Sequence, residues 1–516
     1  MTDGKILIEK LLLYAKTFLG LPALDEIYLR NVLLREFKLD SPAKDAGDLS
    51  YVKDLELPDE LIEEIKAYAA ENGIAEEGTE ADLFACYIFG VLTPRPSEVN
   101  RTFKSLMENV SAKDATSYLY NLSVKNYYVR MSAIRKNLKW NANELEIPLE
   151  ITINLSKPEK NNKDIAKLLT APKTGDKYPA CALCKENEGF YGSLSHPPRS
   201  NIRTVSLTLG GEQWYMQYSP YLYFDEHCIL LNSKHVPMKI DGNTIEKLFD
   251  FIEMFPHYFI GSNSDLPIVG GSILNHEHYQ GGKHLMPLQK AKAFKSYKSD
   301  AYPDVNVDIV DFYNSTVRVY GFNRNTVEKL ASDIIEKWKK YSDESVGIIA
   351  ETDGVRHNTV TPIVRFLDDG RYCAELILRN NMTSAEYPDG IFHAHPEYHN
   401  IKKEGIGLIE AMGLYILPAR LKKQFEEMSL FLAGQKEYSY ADICADETHP
   451  LYVHRFMIKE FEDKFGTFKT PESAYEKIVA YVDHVGAEIL KNTAVFKKDA
   501  QGIAAFVNFL STVNVR

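Results

Sequence analysis

Residues 266–284 read LPIVGGSILNHEHYQGGKH, with two histidines and a glutamine at alternating positions between two glycine pairs. In an extended strand, positions i, i+2 and i+4 face one side, so His276, His278 and Gln280 project together while Glu277 and Tyr279 face away. Glycines at 270, 271, 281 and 282 carry no Cβ and let a ligand approach the backbone, which suits phosphate oxygens cradled by main-chain N–H groups. A neutral imidazole can attack phosphorus and hold the phosphoryl group as a phosphoramidate, dividing one displacement into two. A glutamine beside it donates a hydrogen bond to a non-bridging oxygen without offering a titratable proton. That favours transfer to an incoming phosphate over general-base activation of water.

The flanking sequence supplies a β-rich setting for this stretch. Before it, TVSLTLGGEQWYMQY is two alternating runs separated by Gly210-Gly211, a hairpin signal, and the strand HCILLNS and a helix from about Asn243 follow. The pattern recurs after it. A helix near 325–341 precedes VGIIAETDG; TVTPIVRF, the turn LDDG and RYCAELILRNN then form a second hairpin. IFHAHPE carries its own alternating pair, His393 and His395, and a helix is predicted around 404–416. Two α+β units, each with a hairpin and a strand carrying His-x-His, suggest an internal duplication.

Residues 1 to about 140 read as mostly helical. In PDELIEEIKAYAAENG the apolar Leu61, Ile62, Ile65 and Ala69 follow helical spacing, and Asn72-Gly73 supplies a stop. The polar tract SKPEKNNKD, from Ser156 to Asp164, reads as a linker. The expected organisation is therefore a helical region at 1–155, a first sheet unit at 165–300, and a second at 301–516 that ends in helices.

Length and charge bound the class of function. A chain of 516 residues has room for two or three domains. The net charge of −12 and a pI of about 5.7 argue against a broad nucleic-acid surface. No apolar run approaches the roughly 18 residues that a membrane span needs. The first residues, MTDGKILIEKLLLYAKTF, intersperse Lys and Glu among apolar positions, which fits an amphipathic helix better than a secretory leader. A cytoplasmic location is the expectation.

Six cysteines in so long a chain make no disulfide framework, but Cys181 and Cys184 stand as CALC, half of a zinc site. His235 in NSKHVPM and His276 are the natural completions, since one histidine of an adjacent pair can anchor while the other reacts. For an anionic substrate the candidates are Arg199 and Arg203 in SHPPRSNIRT, with Lys234, Lys239 and Lys283. Two prolines stiffen the backbone presenting Arg199.

The stretches GGSILNHEHYQGG, YPACALCKENEGFYG, QYSPYLYFDEHCILLNSKHVPM and RNNMTSAEYPDGIFHAHPEYHN, with LTPRPSEVNRTF and LEITINLSKPEK, resemble the second, bacterial class of UDP-glucose–hexose-1-phosphate (galactose-1-phosphate) uridylyltransferases. That family lies in the transferase branch of the histidine triad superfamily. The resemblance implies an α+β fold of two histidine-triad-like antiparallel-sheet units behind the helical region. It also implies exchange of UMP between UDP-glucose and galactose 1-phosphate in two half-reactions. His278 would be the nucleophile, Gln280 would stabilise the uridylyl-enzyme, and Cys181, Cys184, His235 and His276 would hold zinc. Arg199 and Arg203 would meet the nucleotide phosphates, and Asn263, Asp265, Gly271 and Ser272 would line the nucleotide pocket. His393-Ala-His395 resembles a His-x-His of the family's first class that belongs to a second metal site and the sugar-phosphate region. Lys403 and Glu410, on the following helix, would join His395 as hexose-phosphate contacts.

The first class reads His-Pro-His-Gly-Gln, whereas Glu277 and Tyr279 occupy the intervening positions here. Small-molecule substrates, no nucleic acid, no membrane and a homodimer complete the expectation. Two other readings stand beside it: a related dinucleotide hydrolase or phosphorylase, of which the glutamine in place of a third histidine opposes the hydrolase, and a non-catalytic UDP-sugar-binding protein.

Overall fold

The computed structural model describes residues 3–156, 178–193 and 195–516. Beyond Ser156 the expected linker lies outside the described residues, as does the start of the first sheet unit at 165. Six helices occupy much of residues 4–125: Gly4–Tyr14, Glu26–Glu36, Asp59–Glu71, Thr79–Leu92, Pro96–Asn109 and Ala112–Lys125. Each forms where sequence signals agree. Helix Asp59–Glu71 buries Leu61, Ile62, Ile65 and Ala69 on one face and stops at Asn72, with Gly73 at a φ of +60°. Helix Pro96–Asn109 starts on proline, whose missing N–H would have no partner in a first turn anyway.

Strands β1 (Leu138–Ala142) and β2 (Leu149–Asn154) follow. The first sheet unit contains β3 (Val205–Leu209), β4 (Glu212–Tyr218), β5 (Cys228–Asn232), β6 (Phe259–Gly261) and β7 (His278–Gly282). The second contains β8 (Ala293–Lys298), β9 (Asn306–Val310), β10 (Thr316–Gly321), the short pair β11 (Glu351–Thr352) and β12 (Val355–Arg356), then β13 (Asn358–Phe366) and β14 (Tyr372–Asn380). A last strand, β15 (Leu414–Pro418), pairs in parallel with β2.

Ten strands form one antiparallel sheet in the order β3-β4-β5-β7-β6-β13-β14-β10-β9-β8. From either outer edge the order is the same: first, second, third, fifth and fourth strand of its half. A helix joins the third strand to the fourth in each half, Gly242–Met254 in one and Arg324–Trp338 in the other. The halves meet where Gly261 pairs with Ile363 and Ile260 with Val364, so the topological division falls between Gly282 and Ala293, ahead of the expected boundary at 300/301, because β8 pairs with β9. The β3–β4 turn is the predicted one, with Gly210 and Gly211 at φ of +56° and +72°, which a two-residue hairpin of this hand requires.

Both faces of the sheet are covered. On one face, Val360, Val364, Leu376 and Leu378 join Trp214, Trp338, Phe249 and the amino-terminal helices in a single core. On the other, Phe259, Ile363 and Ile377 pack with β2, β15 and helices Arg420–Leu432, Arg455–Phe465 and Pro471–Thr493. Adjacent residues of β13 therefore serve different cores, which is why TVTPIVRF is apolar without strict alternation. Burial of each such side chain contributes about 1.5–3 kcal/mol.

Two expectations change. His393 and His395 lie in a loop beyond the end of β14 at Asn380, not on a strand. In place of a helix at 404–416 there is a single turn, Leu408–Ala411, followed by β15. Gly405, Gly407 and Gly413, the last at a φ of +93°, break the helical path, and the apolar LYILP is taken up by β2.

Candidate active site

The cysteine pair lies against the histidines as the spacing anticipates. Cys181 Sγ and Cys184 Sγ are 3.4 Å apart, Cys181 Sγ is 3.3 Å from His276 Nδ1, and Cys184 Sγ is 3.1 Å from His235 Nδ1. The four donor atoms lie within 4.8 Å of one another. His276 Nε2 is 2.9 Å from the Asn232 carbonyl oxygen, so its proton sits there and Nδ1 keeps its lone pair for a metal. Burial and the neighbouring Cys181 push the Cys184 thiol up to about 12. Burial also opposes ionisation of Cys181, but the His276 ring and the Leu183 N–H hold its thiol below the ordinary value. One thiolate forms readily and resists the second, a conflict that a cation between the sulfurs removes. Two sulfurs and two imidazole nitrogens at these separations fit a closed tetrahedral site.

His278 opens β7. Its Nδ1 lies 2.8 Å from the His276 carbonyl oxygen, which places the proton on Nδ1 and the free lone pair on Nε2. Burial pushes its pKa down to about 4, so the ring is neutral near pH 7. Gln280, two residues on, shares its face of β7. Its Oε1 is 3.0 Å from His227 Nε2.

The two side chains that face away anchor the strand. Glu277 is buried, accepting hydrogen bonds from Asn232 Nδ2 at 2.7 Å, Tyr279 Oη at 2.8 Å and Lys247 Nζ at 3.2 Å. Tyr279 stacks on Trp214 with ring centroids 4.7 Å apart. Asn232 thus touches Glu277 through its side chain and His276 through its carbonyl, joining the anchor on one face to the donor set on the other.

His278 and Gln280 open into a cavity of about 940 Å³. Of the residues expected there, Arg199, Asn263, Gly271, Ser272, Lys403 and Glu410 also line it. Three do not. Arg203 is buried and donates to five carbonyl oxygens, those of Gly90, Thr93, Pro94, Ser200 and Ile202, which fastens the end of helix Thr79–Leu92. Asp265 accepts from Arg356 Nη2 at 2.8 Å, Thr359 Oγ1 at 2.6 Å and the Ile240 N–H at 3.1 Å. His395 stacks on Tyr387 at 4.0 Å, with Nε2 3.0 Å from the Ile391 carbonyl oxygen. His393 takes its place in the lining, and its Nε2 accepts from the Ile406 N–H. Among the described residues, Cys181, Cys184, His235 and His276 are the one grouping of three or more such side chains arranged to hold a metal, so none lies around His393.

The second glycine pair serves packing instead of a ligand. A Cβ on Gly281 would sit 2.3 Å from the Phe259 carbonyl oxygen, and one on Gly282 would sit 2.7 Å from that of Glu226. Lys402 escaped the sequence reading: it is buried in the lining, with Nζ 3.0 Å from Glu410 Oε1, whereas the neighbouring Lys403 is exposed. His227 also escaped it. The signal was parity, because Ile229 and Leu231 of β5 face Gln280 and His278, and His227 continues that face.

Two family models match the chain. They are described as galactose-1-phosphate uridyl transferase, N-terminal domain, over residues 25–237, and C-terminal domain, over residues 251–434. A galactose-1-phosphate uridylyltransferase of Caldanaerobacter subterraneus subsp. tengcongensis is 45% identical, over 100% of this chain and 99% of its own. Those of Fusobacterium nucleatum and Clostridium acetobutylicum are each 42% identical, over 99% and 94% of this chain and 99% and 95% of theirs. No solved structure matches the chain.

Proposed function

The chain belongs to the galactose-1-phosphate uridyl transferase family, and we propose that it exchanges UMP between UDP-glucose and galactose 1-phosphate through a uridylyl group carried on His278. The observation that carries this reading is the His278 ring itself. Its Nδ1–H is committed to the His276 carbonyl, and its Nε2 stands with Gln280 in a cavity that also holds Arg199, Asn263, Lys402 and Glu410.

In the first half-reaction, His278 Nε2 attacks the α-phosphorus of UDP-glucose. The bond from that phosphorus to the bridging oxygen breaks, and glucose 1-phosphate leaves with the electron pair. In the second, a phosphate oxygen of galactose 1-phosphate attacks the same phosphorus, the N–P bond breaks, and UDP-galactose forms. No proton leaves the nucleophile in either step, because Nδ1–H stays with the backbone carbonyl throughout. The Gln280 amide donates to a non-bridging oxygen, and Arg199 offsets phosphate charge. Lys402 and Glu410, paired in the cavity lining, would meet the hexose phosphate.

Zinc is the metal we assign to Cys181, Cys184, His235 and His276; when bound it supplies a rigid closed site and no open coordination position. This chain's own contribution is the backbone at His276, which orients His278. The homodimer implied by the resemblance is read by light scattering of the purified protein.

Incubation with uridine-labelled UDP-glucose and no acceptor tests the reading. The expected product is an acid-labile, base-stable adduct on His278, chased into UDP-galactose by galactose 1-phosphate, with parallel-line kinetics. Turnover without an adduct replaces the two-step mechanism by direct transfer. Release of free UMP at the rate of turnover identifies a hydrolase, and binding without turnover identifies a UDP-sugar-binding protein.

A further inference from the structure

His227 immediately precedes β5 and lies within a cage of aromatic rings. It is 1% exposed, stacked at 5.4 Å on Tyr223 and 4.5 Å from the ring of Phe224. Its backbone is fixed at both ends, with the Ser219 N–H donating to its carbonyl and its own N–H donating to Phe224. Its only side-chain hydrogen bond among the described residues is Nε2 to Gln280 Oε1, at 3.0 Å, and its Nδ1 is buried without a partner.

A neutral imidazole carries one proton, and the two choices are not equivalent here. With the proton on Nε2, an N–H donates to Gln280 Oε1 and only a lone pair is left in the cage. With the proton on Nδ1, a buried N–H has no acceptor, and the Gln280 amide must turn its oxygen toward arriving phosphate oxygens. An unpaired donor costs about 1–3 kcal/mol in general, and the second arrangement adds repulsion at the phosphate. Burial keeps the ring uncharged, pushing its pKa to about 4. Among the described residues Gln280 Nε2 makes no hydrogen bond, and the residue lines the cavity beside His278.

We propose that His227 is a positioning residue: its Nε2–H holds Gln280 Oε1 against the protein, so that the Gln280 Nε2–H is presented to the phosphoryl group at His278. This rests on the transfer reading above. A glutamine amide has two nearly isosteric ends, one that stabilises a non-bridging phosphate oxygen and one that repels it. Strand register places Gln280 beside His278 but does not choose between the ends. His227 chooses, and it touches no reacting atom.

Four full-length variants test this: H227F, which keeps an aromatic ring and removes the donor; H227Q, which returns an amide N–H near the Nε2 position; Q280A; and H227F/Q280A. The readouts are the rate of adduct formation from labelled UDP-glucose, the Kd for UDP-glucose, and Tm. H227F should slow transfer about ten- to a hundredfold, less than the roughly hundred- to thousandfold for removing an oriented donor because the Gln280 amide itself remains, with Kd changed less than about threefold. H227Q should recover most of the rate, and H227F/Q280A should be no slower than Q280A. Should H227F not fold, H227N, whose amide reaches only the Nδ1 position, is expected to lose rate as H227F does. A wild-type rate in H227F or H227N, equal loss in H227Q and H227F, or additive loss in the double variant overturns the proposal. If the wild type turns over without an adduct, the covalent reading fails. The same comparison made on kcat then still decides the role of His227.

Discussion

His278 Nδ1 lies 2.8 Å from the carbonyl oxygen of His276, whose own Nδ1 lies 3.3 Å from Cys181 Sγ. One residue therefore contributes a side chain to the cysteine cluster and a backbone oxygen to the proposed nucleophile. The coupling between cluster and chemistry runs through a single peptide unit.

Replacing His278 with alanine should lower UMP exchange by about a thousandfold or more, the scale for losing a nucleophile, while Tm stays within a few degrees. The ring is buried but borders the cavity, so its loss leaves no sealed void. Exchange within tenfold of wild type in H278A would remove His278 from the reaction.

Cys184→Ser should halve the metal content or worse, measured by plasma mass spectrometry, and lower Tm by several degrees. It should also reduce kcat by loosening His276. Burial and Cys181 already raise the Cys184 thiol toward about 12, so metal uptake by the wild type should release protons and weaken as pH falls. Fully active, stoichiometrically metal-free wild-type protein would dissociate the cluster from both stability and catalysis.

Glu277→Ala should destabilise the fold by about 3 kcal/mol, the low end for breaking a buried ion pair, because Lys247 retains Glu212 at 2.9 Å. Urea unfolding checks this; a loss below about 0.5 kcal/mol, the level of a surface change, would refute the anchoring role. This anchor marks a boundary of what the sequence discloses. Within β7 alternation separates Tyr279 from His278 and Gln280, whereas His276 and Glu277 stand just before the strand. The partners of Glu277 and Tyr279, Lys247 and Trp214, come from a helix and from β4, and no local pattern joins them to the motif. The same limit explains the helix expected at 404–416. Its apolar LYILP satisfies either helix or strand, and β2, more than 250 residues earlier, decides. The hairpin at Gly210-Gly211 was legible because its cause is local, two residues at positive φ. The two prolines before Arg199 set it apart from Arg203 in sequence, but what separates them in the fold is not local: helix Thr79–Leu92 claims Arg203 and leaves Arg199 facing the cavity.

Those two arginines should respond differently to alanine. R199A should lower kcat/KM for UDP-glucose about ten- to a hundredfold with little change in Tm, as expected for a lost charge-assisted contact to phosphate. R203A should lower Tm, since five carbonyl oxygens, most of them buried, lose their donor, and the protein that remains folded should keep KM within about twofold of wild type. Thermal melts beside initial rates separate the cases, and the reverse assignment of effects would place Arg203 in the binding site.

His454 offers a test of acid sensitivity away from the site. Burial, aided by the charge of Arg420, pushes its pKa from 6.5 to about 3, and its ring nitrogens are engaged by Asn400 and Gln424. Between those values the unfolded chain binds a proton that the folded chain refuses, so acidification favours unfolding. The contribution is complete above about pH 6.5 and is lost as pH falls toward 3. His454→Gln, which cannot take up that proton, should flatten the dependence of unfolding free energy on pH between 6.5 and 4 by close to one proton. Urea unfolding of both proteins across that interval reads the slope directly, and equal slopes would mean that His454 titrates normally in the folded protein.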